Sequence, residues 1–255
     1  MIPKKIHYCW FGGKPLNHLG QKCLESWKKF FPDYEIIEWN ESNFDINCCQ
    51  YVKEAYEAKK WAFVSDYARF KILYDHGGIY FDTDVEVIRS FDKILENGAF
   101  FGCENPEVIK ATTEQPGMGC MVAPGLGCGA AQGLPFYKEI LEDYEKSTFL
   151  NEDGSSNLYT IVERTTELLR RHGLKDVAGI QKVADIMIYP AEYFCPIDLQ
   201  TAELKITENT YSIHKYAASW KSKNSIIRGK IYRFLNRNFG KKTADFVKRV
   251  FGRKN

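Results

Sequence analysis

The stretch Gly77 to Val87, GGIYFDTDVEV, decides how the chain is read, because a strand-like apolar run there carries two aspartates one residue apart. Side chains of a strand alternate between its faces, so Ile79, Phe81, Thr83, Val85 and Val87 fall on one side and Tyr80, Asp82, Asp84 and Glu86 on the other. Both carboxylates then point the same way. Like charges at that spacing repel, and a cation between or beyond them removes the conflict.

Working outward, Gly77-Gly78 closes a helical segment, Gln50 to Tyr74, whose Phe63, Tyr67, Phe70 and Tyr74 form one stripe. Within it SDYAR sets Asp66 and Arg69 three residues apart on one helix face, the spacing of an ordinary surface ion pair. Upstream, Lys5 to Phe11 alternates like a strand, Asn17 to Phe31 has helical spacing, and Tyr34 to Asn40 reads as a second strand. Downstream, Gly98 to Asn105 and Ile186 to Pro196 hold strands, while Phe136 to Tyr144 and Leu158 to His172 are helical. Alternating β and α elements predict an α/β fold with an open sheet and ligands at the carboxyl ends of its strands. The Gly- and Pro-rich run from Pro106 to Pro135 has no period and reads either as a long loop bordering a site or as a mobile insertion without function.

Composition narrows the class. The chain has 255 residues, 44% hydrophobic, enough for a sizeable core. Its eight cysteines, Cys9, Cys23, Cys48, Cys49, Cys103, Cys120, Cys128 and Cys195, show no metal-ribbon or framework spacing and are expected to be reduced thiols. MIPKKIHYCWFGG lacks the apolar core of a signal peptide, and no run reaches transmembrane length, so the expected location is the cytoplasm. The net charge of +2 conceals an asymmetry: from Lys221 onward there are twelve Lys or Arg against a single acid, Asp245, so the first 220 residues are net negative. Ile227, Ile231, Phe234 and Leu235 share one helical face, as do Val247, Val250 and Phe251, with Arg228, Lys230, Arg233, Arg237, Lys248 and Arg249 around them. Two parts are expected: residues 1–220 as one α/β domain, and 221–255 as a basic amphipathic helical tail lying on an anionic membrane surface, at the inner face of the cell membrane. No recognition motif accompanies the charge, so nucleic acid is not an expected partner.

SDYARFKILYDHGGIYFDTDV resembles the donor-site signature of DXD-containing glycosyltransferases of the Och1-like and capsular-polysaccharide sugar transferase family, and more distantly that of clostridial glucosylating toxins. IHYCWFGG is similar to that group's first strand, and HKYAASW, His214 to Trp220, to its closing C-terminal loop. The resemblance implies a GT-A, Rossmann-like fold and retaining transfer of a sugar from a nucleotide diphosphate donor, a UDP-hexose or UDP-N-acetylhexosamine, to a glycan acceptor in surface polysaccharide synthesis. It assigns Trp10 to the nucleotide base, Asp66, Arg69 and Asp82 to the donor sugar and diphosphate, and Asp84 with His214 to Mn2+ or Mg2+. Ser219 and Trp220 are assigned to the phosphate oxygens. Trp10 is alternatively a core residue at a strand end, and His214 a structural histidine. No residue stands out as a nucleophile, which fits front-face attack by the acceptor hydroxyl on the side the diphosphate leaves, with double displacement as the alternative; no stretch matches an acceptor motif, so the sequence assigns no acceptor, lipid-linked or not. Two other functions compete. A haloacid-dehalogenase-type phosphatase also uses Asp-x-Asp at a strand end, but has Thr or Val where this chain has Glu86 and carries its motif in the first strand. A domain that binds nucleotide sugar without turnover is the other, against which the intact Asp66, Arg69, Asp82 and Asp84 argue.

Overall fold

The structure is a computed structural model that describes residues 1–104, 120–177, 179–198, 203–217 and 223–240, together with positions 243 and 245. Its first half follows the expected alternation: β1 (Lys5–Cys9), α1 (His18–Phe30), β2 (Glu35–Trp39), α2 (Gln50–Glu57), α3 (Trp61–His76), β3 (Gly78–Tyr80), β4 (Val85–Val87), α4 (Asp92–Leu95) and β5 (Phe100–Glu104). Then come β6 (Met121–Val122), a 3-10 turn (Pro124–Leu126), β7 (Cys128–Ala130), α5 (Pro135–Glu145), α6 (Ile161–Arg171), β8 (Gln181–Val183), β9 (Ile186–Tyr189), α7 (Ala191–Phe194), β10 (Ser212–His214) and α8 (Lys223–Phe239).

The main sheet runs β2-β1-β3-β7-β5-β9-β8, with β6 on β5. Strands β2, β1, β3, β5 and β9 share one direction, and β7 runs against both of its neighbours. Successive residues of each strand feed two core layers, as the two-residue period requires. Ile6 and Tyr8, Ile79 and Phe81, Phe100 and Tyr189 pack with Trp27 of α1 on one face. Cys9, Tyr80, Phe101 and Ile188 pack with α2, α3, α5 and α6 on the other.

Four expectations are corrected. The single helix from Gln50 to Tyr74 is two, broken where Lys59 takes a positive φ of 57°. The aspartate-bearing strand is also two: β3 stops at Tyr80, Thr83 and Asp84 form a turn in which the Val85 amide donates to the Asp82 carbonyl at 3.0 Å, and β4 joins β10 in a separate two-stranded sheet. The Gly-rich run is not simply a loop, since β6, the 3-10 turn and the mid-sheet strand β7 come from it, although residues 105–119 lie outside the described part. Gly129 explains the choice of residue: a Cβ there would lie 2.6 Å from the Phe100 ring. Finally, not every thiol is reduced, because Cys103 and Cys120 form a disulfide that ties the end of β5 to the start of β6.

Candidate active site

Asp66 and Arg69 sit on the face of α3 turned toward the sheet, and both are buried. The Arg69 guanidinium donates to Asp66 Oδ1 at 2.7 Å, approaches Asp82 Oδ1 at 3.4 Å, donates through Nε to the Ser65 carbonyl and lies over the Tyr80 ring. This is no surface pair. Burial pushes the Asp66 carboxyl up to about 7 against the pull of Arg69. One guanidinium nitrogen, Arg69 NH1, is buried with no partner among the described residues.

The turn between β3 and β4 presents the two aspartates, and a remote segment completes the group. Strand β10 pairs antiparallel with β4, setting His214 opposite Val85. The next residues fold over the turn: the Lys215 amide donates to the Asp84 carbonyl at 2.9 Å and the Ala217 amide to Asp84 Oδ2 at 2.7 Å. His214 Nε2 therefore lies 3.0 Å from Asp84 Oδ1 and 3.9 Å from Asp82 Oδ2. One ligating atom from each of Asp82, Asp84 and His214 falls within 4.8 Å of the others.

The electrostatics fit a cation. Burial raises the Asp82 carboxyl despite Arg69 and His214. For Asp84 burial also pushes upward, but His214 and the amide hydrogen bonds outweigh it and hold the carboxyl low. Burial alone would keep His214 neutral, yet Asp84 and Asp82 draw a proton onto it. Two carboxylates that recruit a histidine proton are a site where a divalent ion would take that proton's place. His214 Nδ1 is buried and unpaired among the described residues. An O, O, N donor set of this kind can hold a divalent cation, the carboxylates meeting a hard ion and the imidazole admitting a transition metal.

A pocket of about 100 Å3 is lined by Asp66, Arg69, Asp82 and His214 together with Gly125 and Glu104. The sequence reading missed the last two. Gly125 has no room for a side chain: a Cβ there would lie 2.2 Å from Asp82 Oδ2 and 3.2 Å from Arg69 NH1. Its carbonyl also accepts from the Asp82 amide. The Gly-rich run does border the site, as its composition suggested. Glu104 ends β5 and carried no signal beyond being an acidic residue near the end of an expected strand.

Trp10 follows β1 at its carboxyl end and is half-buried, its indole Nε1 donating to the Lys14 carbonyl at 2.6 Å. It packs partly against one core layer. Ser219 and Trp220 lie outside the described residues.

Residues 18–101 match the model of a family described as the glycosyltransferase sugar-binding region containing a DXD motif. Over 119 residues, 42% of this chain, it is 29% identical to inositol phosphoceramide mannosyltransferase 3 of Schizosaccharomyces pombe. It is 32% identical over 110 residues, 40% of its length, to an uncharacterised glycosyltransferase of Acanthamoeba polyphaga mimivirus. The matches span 31% and 43% of those two proteins, less than half of each. Among solved structures, the chain is similar to the PaToxG glycosyltransferase, with a TM-score of 0.48, 17% identity, and coverage of 67% of this chain and 69% of the other. The galactosyltransferase LgtC, solved with donor and acceptor sugar analogues, gives a TM-score of 0.47 at 10% identity, covering 89% and 93%.

Proposed function

We propose that this chain, which over residues 18–101 carries the DXD-containing sugar-binding region of glycosyltransferases, is a metal-dependent retaining glycosyltransferase using a nucleotide diphosphate sugar, a UDP-hexose or UDP-N-acetylhexosamine. The observation that carries this reading is the convergence of two groups on one pocket. Asp82, Asp84 and His214 offer a cation site, and the buried Asp66–Arg69 pair stands beside it with a guanidinium nitrogen that has no partner among the described residues.

In this reading Asp82, Asp84 and His214 hold Mn2+ or Mg2+. When bound, the ion supplies positive charge against that developing on the leaving diphosphate. Arg69 donates its unpaired N–H to a donor oxygen, and Asp66 accepts from sugar hydroxyls while fixing the guanidinium plane. Asp82 shares its carboxylate between Arg69 and the cation site, which ties sugar binding to diphosphate binding. The segment after β10 closes on Asp84 through its backbone amides, and Ser219 and Trp220 follow it in sequence as proposed phosphate contacts. UDP release measured over a donor panel with Mn2+ tests the assignment.

Trp10 is proposed to stack on the uracil. Trp10→Ala should raise the donor dissociation constant roughly 5- to 100-fold, as the loss of ~1–3 kcal/mol of stacking implies, with the melting temperature nearly unchanged. A variant that unfolds, or binds donor normally, assigns Trp10 to the core instead.

The tail is proposed to hold the active site against an anionic membrane, at its cytoplasmic face, where a lipid-linked glycan in surface polysaccharide assembly would be the acceptor. No described helix is long and apolar enough to cross a membrane. Helix α8 does expose Ile227, Ile231, Phe234 and Phe239, each at least half accessible. Apolar residues left uncovered on a helix with this many cations fit an interfacial helix, and each Lys or Arg near an anionic leaflet adds ~1 kcal/mol. A chain ending at Lys221 should keep UDP-sugar hydrolysis but lose salt-sensitive sedimentation with anionic liposomes. Equal sedimentation of the truncated and full-length chains at low salt removes the membrane role.

A further inference from the structure

Glu41 lies two residues past the end of β2, and its side chain closes onto the loop that leaves β1. The Gly12 amide donates to Glu41 Oε1 at 2.7 Å, and the Tyr56 hydroxyl on α2 donates to the same oxygen at 3.2 Å. The rings of Tyr56 and Trp61 pack with their centroids 4.9 Å apart. Trp61, the first residue of α3, also leaves Gly12 no room for a side chain, since a Cβ there would lie 2.7 Å from the indole Nε1. One carboxylate therefore ties the loop after β1 to the end of β2 and to α2, with α3 against it.

This loop carries Trp10. The Trp10 amide donates to the Trp39 carbonyl at 2.8 Å, which continues the β1–β2 pairing and fixes the backbone there. The indole is fixed elsewhere: its Nε1 donates to the Lys14 carbonyl at 2.6 Å, beyond Gly12 and Gly13. Both glycines have positive φ, 96° and 65°, and nothing lies within 4 Å of where a Gly13 Cβ would stand. Two glycines in a row give this link wide conformational freedom, and the Lys14 carbonyl moves with it. Glu41 pins the link at Gly12. We propose that Glu41 is a positioning residue for the nucleotide: by holding the Gly12 amide it sets the Lys14 carbonyl, and through it the plane in which the Trp10 indole meets the base. An indole already set in that plane spares the donor an ordering cost on binding. The inference rests on the assignment of Trp10 to the base.

The test measures UDP affinity by calorimetry with Mn2+ present, on the full-length native protein, Glu41→Ala, Glu41→Gln, Trp10→Ala and the double variant of Trp10→Ala with Glu41→Ala. Glu41→Ala should raise the UDP dissociation constant roughly 3- to 30-fold, because a hydrogen bond to a charged group is lost and Trp10's own contribution limits the effect. Mn2+ affinity, read from the spin resonance of the free ion, should stay within about 3-fold of native. Gly12 and Tyr56 both donate to one oxygen, which a glutamine carbonyl can replace, so Glu41→Gln should bind UDP within about 3-fold of native. The double variant should bind UDP about as weakly as Trp10→Ala alone, since Glu41 acts only through the indole. Native UDP affinity in Glu41→Ala overturns the proposal, as do losses that multiply in the double variant. Glu41→Gln as weak as Glu41→Ala overturns it in favour of the charge, and Mn2+ affinity falling in step with UDP overturns it in favour of general damage to the fold. Native UDP binding by Trp10→Ala, or no UDP binding by the native chain, overturns the base assignment and this inference together. Weakened binding by Trp10→Ala beside native binding by Glu41→Ala removes only the role of Glu41.

Discussion

Asp84→Asn should lower sugar transfer by at least ~10²–10³-fold, the loss seen when one preorganised electrostatic group is removed from a site. The reason is geometric. Asp84 Oδ1 faces His214 at 3.0 Å, and Oδ2 takes the Ala217 amide at 2.7 Å, so this one carboxylate fastens the cation site to the segment that closes over it. Asn keeps an acceptor for the amide, and the fold should therefore survive. It loses the charge that draws a proton, or a divalent ion, to His214. Mn2+ affinity should drop with activity, and full turnover by Asp84→Asn in the presence of EDTA would remove the metal from the account.

The second large effect is on stability. Arg69 is buried against two carboxylates, and Arg69→Met should cost ~3–5 kcal/mol because both acids lose their compensating charge. At ~2–4 °C per kcal/mol for a chain of this size, the melting temperature should fall by ~6–20 °C. The loss depends on pH with a definite sign. Burial already lifts Asp66 to about 7, and removing Arg69 takes away the main force pulling it down. A carboxyl whose folded pKa exceeds its unfolded value of ~3.9 stabilises the fold at low pH and withdraws that stability as pH rises through the folded value. The variant should consequently melt closer to the native protein at pH 5 than at pH 8. A melting temperature equal to the native one at pH 8 would contradict the buried triad.

The aspartate pair was legible in the sequence because its spacing is local, whereas the three-residue step of Asp66 and Arg69 read by itself as a surface ion pair and gained a place in the site only through the family resemblance. A three-residue step on a helix, a Gly-Gly stop and a one-residue step between acids survive any error in element ends. Alternation placed Ile79 and Phe81 on one layer and Tyr80 on the other, as found. What local spacing could not show was the break after Tyr80, since the apolar period continues across the turn into Val85 and Val87. His214 was nameable only through resemblance to a family. Its place beside Asp84 depends on the β10–β4 pairing across more than a hundred residues, which no short-range pattern encodes. Strand β7 escaped because Cys128-Gly129-Ala130 has weak strand propensity and is held by close packing against Phe100. Gly125 and Glu104 escaped for a similar reason, since a glycine that leaves room for Asp82 and an acid that lines a pocket are visible only once the chain is folded.

Asp82, Asp84 and His214, beside Asp66 and Arg69, are proposed to make a cation-dependent sugar-transfer site. Its most direct test is UDP release by the purified full-length chain across UDP-hexoses and UDP-N-acetylhexosamines, with Mn2+ and then with excess EDTA. Release is expected with at least one donor, and both EDTA and Asp84→Asn should abolish it. Donor binding without release across the panel, or phosphate release from a phosphomonoester in place of UDP release, would contradict it.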